Sequence, residues 1–207
     1  MASKAKEKLI ESAIHVFAEH GYRGGKVADI VQGAKANIAA VNYHFGSKDQ
    51  LFVQALRQAY AEANKAYPSK GDLPKTASPE EKIAAIARAI LRRSLDLGKA
   101  GDFNRIMSRT IHVPGSPVEL ILMEVRNLEL DYIESVLADL LSTDSKPLLE
   151  WAKSIFLQLA TLVNKRPVES KSLFPENPTA KQIDAMIEIQ IGVILAALKV
   201  IPQEFPT

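Results

Sequence analysis

Apolar residues recur at helical spacing along almost the whole chain. Leu9, Ile10, Ala13, Ile14 and Phe17 share one face, which predicts a helix from about Lys4 to His20. Gly21 ends it, because glycine readily takes the left-handed conformation that stops a helix. Val27, Ile30 and Val31 place a second helix over about Lys26–Ala34, and a third follows over about Ile38–Phe45. A fourth runs from Lys48 to about Ala66, before the proline- and glycine-bearing linker YPSKGDLPKTASP (Tyr67–Pro79). Further helices are expected over Pro79–Leu97, Asp102–His112, Pro117–Leu141, Pro147–Asn164 and Thr179–Ile201, with KRPVESKSLFPENP (Lys165–Pro178) as a loop. No segment sustains strand alternation, so the expected fold class is all-α.

The start signals agree with this pattern. A Ser or Thr followed three residues later by Glu or Gln forms a capping box, in which each residue satisfies a backbone N–H of the other. The pairs are Ser47/Gln50, Ser78/Glu81, Ser116/Glu119 and Thr179/Gln182. Two are followed by proline at the first helical position, Pro79 and Pro117, where its missing N–H costs nothing. Near the C-terminus the apolar positions become too numerous for one buried face. Trp151, Ile155, Phe156, Leu159 and their neighbours cover nearly the whole circumference of their helix. Ile183, Ile187, Ile191, Ile194, Leu198 and Ile201 make a long stripe on the last. A helix apolar all round needs cover on both sides.

The second and third helices are joined by a short turn at Lys35–Ala36–Asn37, with Asn37 as a good N-cap. From Ile30 to Lys48 there is no acidic residue, in a chain that has 24. Two short helices joined in this way, the second lacking acids, form the pattern of a helix-turn-helix. A helix entering the major groove, about 12 Å wide, passes between two rows of phosphates that would repel a carboxylate. Small side chains let its backbone approach the bases. Asn can pair with adenine, while Tyr, His and Lys can hold phosphate oxygens. Ala39, Ala40, Asn42, Tyr43, His44 and Lys48 suit those roles in turn.

The stretch GYRGGKVADIVQGAKANIAAVNYHFGSKDQLF resembles the N-terminal signature of the TetR family of transcriptional regulators. Gly21, Tyr22, Asp29, Ile30, His44, Phe45, Ser47, Lys48, Asp49 and Leu51 match it as they stand. The wording NIAAVNYHFGSK is similar to a CecR-like subgroup, as more weakly are FNRIMSRTIHVPGSPVE and NKRPVE. The family's Thr at the second helix's N-cap maps onto Gly25, with Lys26 beside it to supply the phosphate contact. Its turn glycine is Lys35, and its usual tyrosine is Asn42 with Tyr43 alongside.

The resemblance implies a helix-turn-helix domain over residues 1–50, joined by the fourth helix to a larger helical effector-binding and dimerisation domain over 51–207. It implies a homodimer on a roughly palindromic operator, released by a small-molecule effector. The DNA-contact candidates become Lys26, Asn37, Ile38, Ala39, Ala40, Asn42, Tyr43, His44 and Lys48. The dimer-interface candidates are Trp151, Ile155, Leu159, Ile187, Ile191, Ile194 and Leu198. Asn104, Arg105, Arg109, His112 and Tyr132 lie on helices that would line the effector cavity. Arg105, Arg109 and His112 share one face, either as an anion-seeking ligand site or as a surface row paired with Glu124 or Glu129. The same fold also accommodates a dimeric sensor or adaptor whose DNA-binding domain has degenerated.

Composition narrows the remaining classes. The formal net charge is only +2, so a nucleic-acid site must be local. Without cysteine there is no disulfide or thiolate centre. Histidines 15, 20, 44 and 112 lack metal-ligand spacing, and no nucleophile motif or carboxylate pair predicts catalysis. GYRGGK lacks the first glycine of a phosphate loop and the Ser/Thr after its lysine. The expectation is a cytoplasmic protein with no cofactor, no metal and no membrane span. Ile38 divides two arguments. Periodicity turns it toward Val41 and the core, whereas the resemblance aims it at the groove. The expectation follows the resemblance: Ile38 exposed, Val41 and Phe45 buried.

Overall fold

The computed structural model describes residues 2–110, 113–117, 129–161 and 179–204. Among the described residues there are nine α-helices and one 3₁₀ turn, with no strand. The chain divides into two compact units, Met1–Ala66 with Asp96–Val125, and Tyr67–Leu95 with Arg126–Thr207.

The first unit contains α1 (Ala2–Gly24), α2 (Val27–Gly33), α3 (Ile38–Phe45), α4 (Lys48–Ala66), a 3₁₀ turn (Lys99–Gly101) and α6 (Asp102–Thr110). The intervening helix α5 (Pro79–Leu95) belongs to the second unit. The regular part of α1 breaks at Gly21, as expected, where φ is +64°. An added Cβ there would also press on the Arg109 backbone of α6, 3.1 Å away. Leu9, Ala13 and Phe17 of α1 close over Ile30, Val41, Leu51, Phe52, Leu56 and Ile106. This unit is larger than the expected 1–50 segment. The reason is the spacing of α4, which sends Leu51, Phe52, Ala55, Leu56 and Ala59 into the same core, and the return of the chain to add Ile106.

In the second unit, α5, α7 (Asp131–Leu141), α8 (Lys146–Thr161) and α9 (Ala180–Glu204) surround their own core. The capping boxes at Ser78/Glu81 and Thr179/Gln182 form in both directions. At Ser47/Gln50 the Ser47 hydroxyl accepts from the Gln50 N–H at 3.2 Å. Glu119 lies outside the described residues, with the rest of 118–128 from the expected Pro117–Leu141 helix; the described chain is helical again from 129 and runs into α7. Arg88 makes a bidentate pair with Glu188, and Arg92 pairs with Asp184 at 2.7 Å, tying α5 to α9. Arg93 is buried, donating twice to the Tyr67 carbonyl, once to Ser69 and once to Glu129. Lys153 is buried beside Glu134 and Glu150. Burial pushes its ammonium down, but the two carboxylates outweigh this and raise it.

The last helix turns four of the expected interface residues into its own chain's core. Ile187, Ile191, Ile194 and Leu198 are buried within the chain, between α9 and its neighbours. Ile155 and Leu159 are half-buried against the same core, whereas Trp151 is exposed. The uncovered apolar side of α9 is the opposite one: Ala185, Ile189, Gly192, Val193, Ala196 and Val200, repeating every three or four residues. The helix is apolar on two sides, as its sequence indicates. The large branched stripe faces inward because α5, α7 and α8 converge on it.

Candidate nucleic-acid interface

The turn between α2 and α3 begins with Lys35 at φ +53°, a left-handed conformation that glycine adopts at lower cost. Its N–H donates to the Gln32 carbonyl at 3.1 Å, and the Ala36 N–H to Val31 at 2.8 Å. The turn geometry is therefore retained without the glycine. The Asn37 side-chain oxygen accepts the Ala40 N–H at 2.9 Å, which makes it the N-cap of α3. The N-cap of α2 is Lys26, not Gly25, and it makes no side-chain cap bond. Gly25 sits before the cap for a packing reason. A Cβ there would lie 2.6 Å from the Phe17 ring.

Two side chains anchor α3. Val41 is 1 % exposed and Phe45 is buried. Ile38 is 56 % exposed and Tyr43 81 %, and Ala39 and Asn42 are also exposed. Ile38 thus takes the orientation that the resemblance implied and periodicity opposed, because the first turn of α3 projects beyond the core. Ala40 departs from expectation. It is half-buried and packs on the core, so it backs the helix instead of presenting a surface. His44 is half-buried, edge-on to Tyr43 with ring centroids 4.9 Å apart. Ile38, Ala39, Asn42 and Tyr43 remain as an acid-free exposed face.

At the start of α4, Lys48 is half-buried with its ammonium 4.6 Å from the centroid of the Tyr22 ring. Burial pushes this lysine's pKa down, against the raising influence of Asp49. The Tyr22 hydroxyl donates to an Asp49 carboxylate oxygen. Burial first, then that bond and the Asp49 charge, push the phenol up to about 12. The Tyr22 ring also meets Phe52 edge-on at 5.1 Å, and its backbone N–H donates to Thr110 at 3.3 Å. Tyr22 and Asp49 match the family signature, which assigns them no role. No sequence spacing links position 22 to 48.

Of the candidate effector residues, both arginines already have partners within the first unit. Arg105 donates to the carbonyls of Asp96 and Gly98 and pairs with Asp102, so it closes a loop. Arg109 donates through Nε to the Ala18 carbonyl. Glu129, the expected partner of this row, pairs with Arg93. Asn104 is half-buried in the first unit, whereas Tyr132 belongs to the second, with the Lys70 ammonium 5.0 Å from its ring centroid. His112 and Glu124 lie outside the described residues. Among the described residues no group of His, Asp or Glu is arranged to hold a metal, and no helix is long and apolar enough to cross a membrane.

Residues 9–55 match the family described as bacterial regulatory proteins, tetR family. Over 65 residues the chain is 35 % identical to the HTH-type transcriptional repressor NicS of Pseudomonas putida, covering 31 % of each chain. The chain thus spans about a third of the length of this curated relative. A transcriptional regulator from Rhodococcus sp. RHA1 has a similar structure over 93 % of this chain and 96 % of its own, with a TM-score of 0.63 and 25 % identity. The TetR-family regulator CifR, solved with 26-base-pair operator DNA, is similar over 93 % of this chain and 94 % of its own, with a TM-score of 0.60 and 17 % identity. Residues 9–55 are therefore a tetR-family N-terminal region, set in a chain with the all-α fold of that family's solved regulators.

Proposed function

We propose that this protein is a transcriptional repressor that binds a roughly palindromic operator as a homodimer, with α3 in the major groove. The observation that carries this reading is the exposed face of α3: Ile38, Ala39, Asn42 and Tyr43, free of acids and anchored from behind by Val41 and Phe45. Ile38 suits a thymine methyl, and Asn42 suits an adenine edge. Lys26, Tyr43, His44 and Lys48 suit phosphate oxygens, which fix register without reading sequence. Asn37 holds the first turn in shape. The repressor NicS and the operator-bound CifR support the same reading by likeness. The left-handed Lys35 favours it over a degenerate DNA-binding domain, since the turn survives the loss of glycine. The wording NIAAVNYHFGSK keeps the CecR-like subgroup as the finer assignment.

The homodimer reading rests on the uncovered apolar side of α9, with Trp151 on α8 a further exposed apolar residue of the same unit. A second copy is the self-complementary occupant that two-fold symmetry supplies. A small-molecule effector and a cytoplasmic setting complete the proposal.

The test is an electrophoretic shift with the DNA upstream of this protein's own gene, followed by titration against salt. Lys48→Ala should weaken binding to every sequence alike and lower the salt slope by about one unit. Asn42→Ala should change base preference and leave the slope in place. A wild-type protein that shifts no duplex sinks the reading. A Lys48→Ala variant with altered base preference and an unchanged slope sinks the assignment of Lys48.

A further inference from the structure

We infer that Tyr22 is a positioning residue for DNA binding, which holds the Lys48 ammonium on its ring face ready for a backbone phosphate. The inference rests on the DNA-binding reading above and adds a residue that touches no DNA. Lysine is a flexible point charge, and ordering its side chain on binding costs rotamer entropy. Here that ordering precedes binding. The Lys48 ammonium lies 4.6 Å from the Tyr22 centroid, within the roughly 6 Å over which a ring quadrupole attracts a cation.

The ring itself is held on three sides. Phe52 meets it edge-on, and Phe52 in turn packs edge-on against Phe17 at 5.0 Å. The hydroxyl is bound by Asp49, the residue after Lys48, so one side chain restrains both the cation and its neighbouring acid. The backbone is bound by Thr110. Lys48 is also partly desolvated, with its pKa pushed down by burial. Less hydration is then lost when a phosphate arrives. An extended Lys48 in open water would have neither advantage.

A double-mutant cycle with full-length protein and a 30-base-pair random-sequence duplex tests this. Tyr22→Leu should weaken binding about threefold to tenfold, the scale of an exposed cation–π contact plus lost ordering. The same change in a Lys48→Ala background should weaken it less than twofold. Tyr22→Phe keeps the ring and should keep most of the affinity. Equal losses in both backgrounds would mean that Tyr22 acts only on the fold and would overturn the inference. A second readout needs neither DNA nor a variant that folds. The Lys48 Hε protons of the wild-type protein should resonate upfield through the Tyr22 ring current. Ordinary Hε positions would overturn the inference even where DNA binding stands. A wild type with shifted protons that binds no duplex would overturn the DNA reading, and Lys48's role in it.

Discussion

Helices α3 and α9 solve the same problem differently. Each buries one stripe completely: Val41 and Phe45 on α3, and Ile187, Ile191, Ile194 and Leu198 on α9. Each leaves its other side to solvent. On α3 that side mixes an amide, a phenol, an alanine and one isoleucine. On α9 it is Ala, Ile, Gly and Val, with Ile189 69 % exposed. The buried stripes tell only that each helix belongs to a core. The uncovered sides carry the functional information. Hydrogen-bonding groups without acids suit a polyanion, and a repeating apolar side suits a second apolar surface.

The sharpest way to break this comparison uses adjacent residues of α9. Ile194→Asp places an unpaired carboxylate where exposure is 0 %, and should cost about 4 kcal/mol or more of folding stability. Val193→Asp, on the exposed side, should leave the urea midpoint nearly unchanged but convert dimers to monomers in sedimentation. A monomeric wild type at micromolar concentration would refute the assembly half of the comparison. The same contrast on α3 is smaller. Val41→Ala should cost about 1–3 kcal/mol as a core truncation. Ile38→Ala should cost less than about 0.5 kcal/mol, and lose discrimination at a T·A position.

Smaller still is the effect of pH through Tyr22. Its folded pKa is raised from 10 to about 12, so the native state retains a proton that the unfolded chain has lost in that window. The stability it contributes is fully present below pH 10 and is lost as pH rises toward 12. The stability gap between wild type and Tyr22→Phe should therefore narrow over that range in denaturation curves. A gap that widens would contradict the Tyr22–Asp49 hydrogen bond. The least effect is expected at Lys35, where glycine should relieve the left-handed strain and stabilise the first unit by about 0.5–1 kcal/mol.

Among the described residues most helix limits, and two complete capping boxes, were legible because they depend on residues three or four apart. The Asn37 cap and the exposed Ile38 were legible too, the latter only by setting the family likeness above periodicity. The inward side of α9 was not. Both of its sides are apolar, and the choice depends on where α5, α7 and α8 lie. Arg105 and Arg109 looked like an anion site because they share a face. Besides Asp102, their partners are backbone carbonyls, including Ala18, 91 positions from Arg109, and no spacing rule finds a carbonyl. The α2 cap was misplaced by one residue because neither Gly25 nor Lys26 offers a side-chain acceptor.

The return of Asp96–Val125 to the first unit bears on how this protein can be cut and recombined. An N-terminal module excised at the end of α4 would leave behind Ile106, which is fully buried in that module's core, and Thr110, which holds Tyr22 in place. The Ala18 carbonyl would lose its guanidinium, and Gly21 its neighbour. Chimeras that graft residues 1–66 onto a foreign sensor would expose an apolar seam along α1 and α4 and tend to aggregate. A transplant that carries α6, or an amphipathic helix designed to replace it, would be the workable unit of exchange.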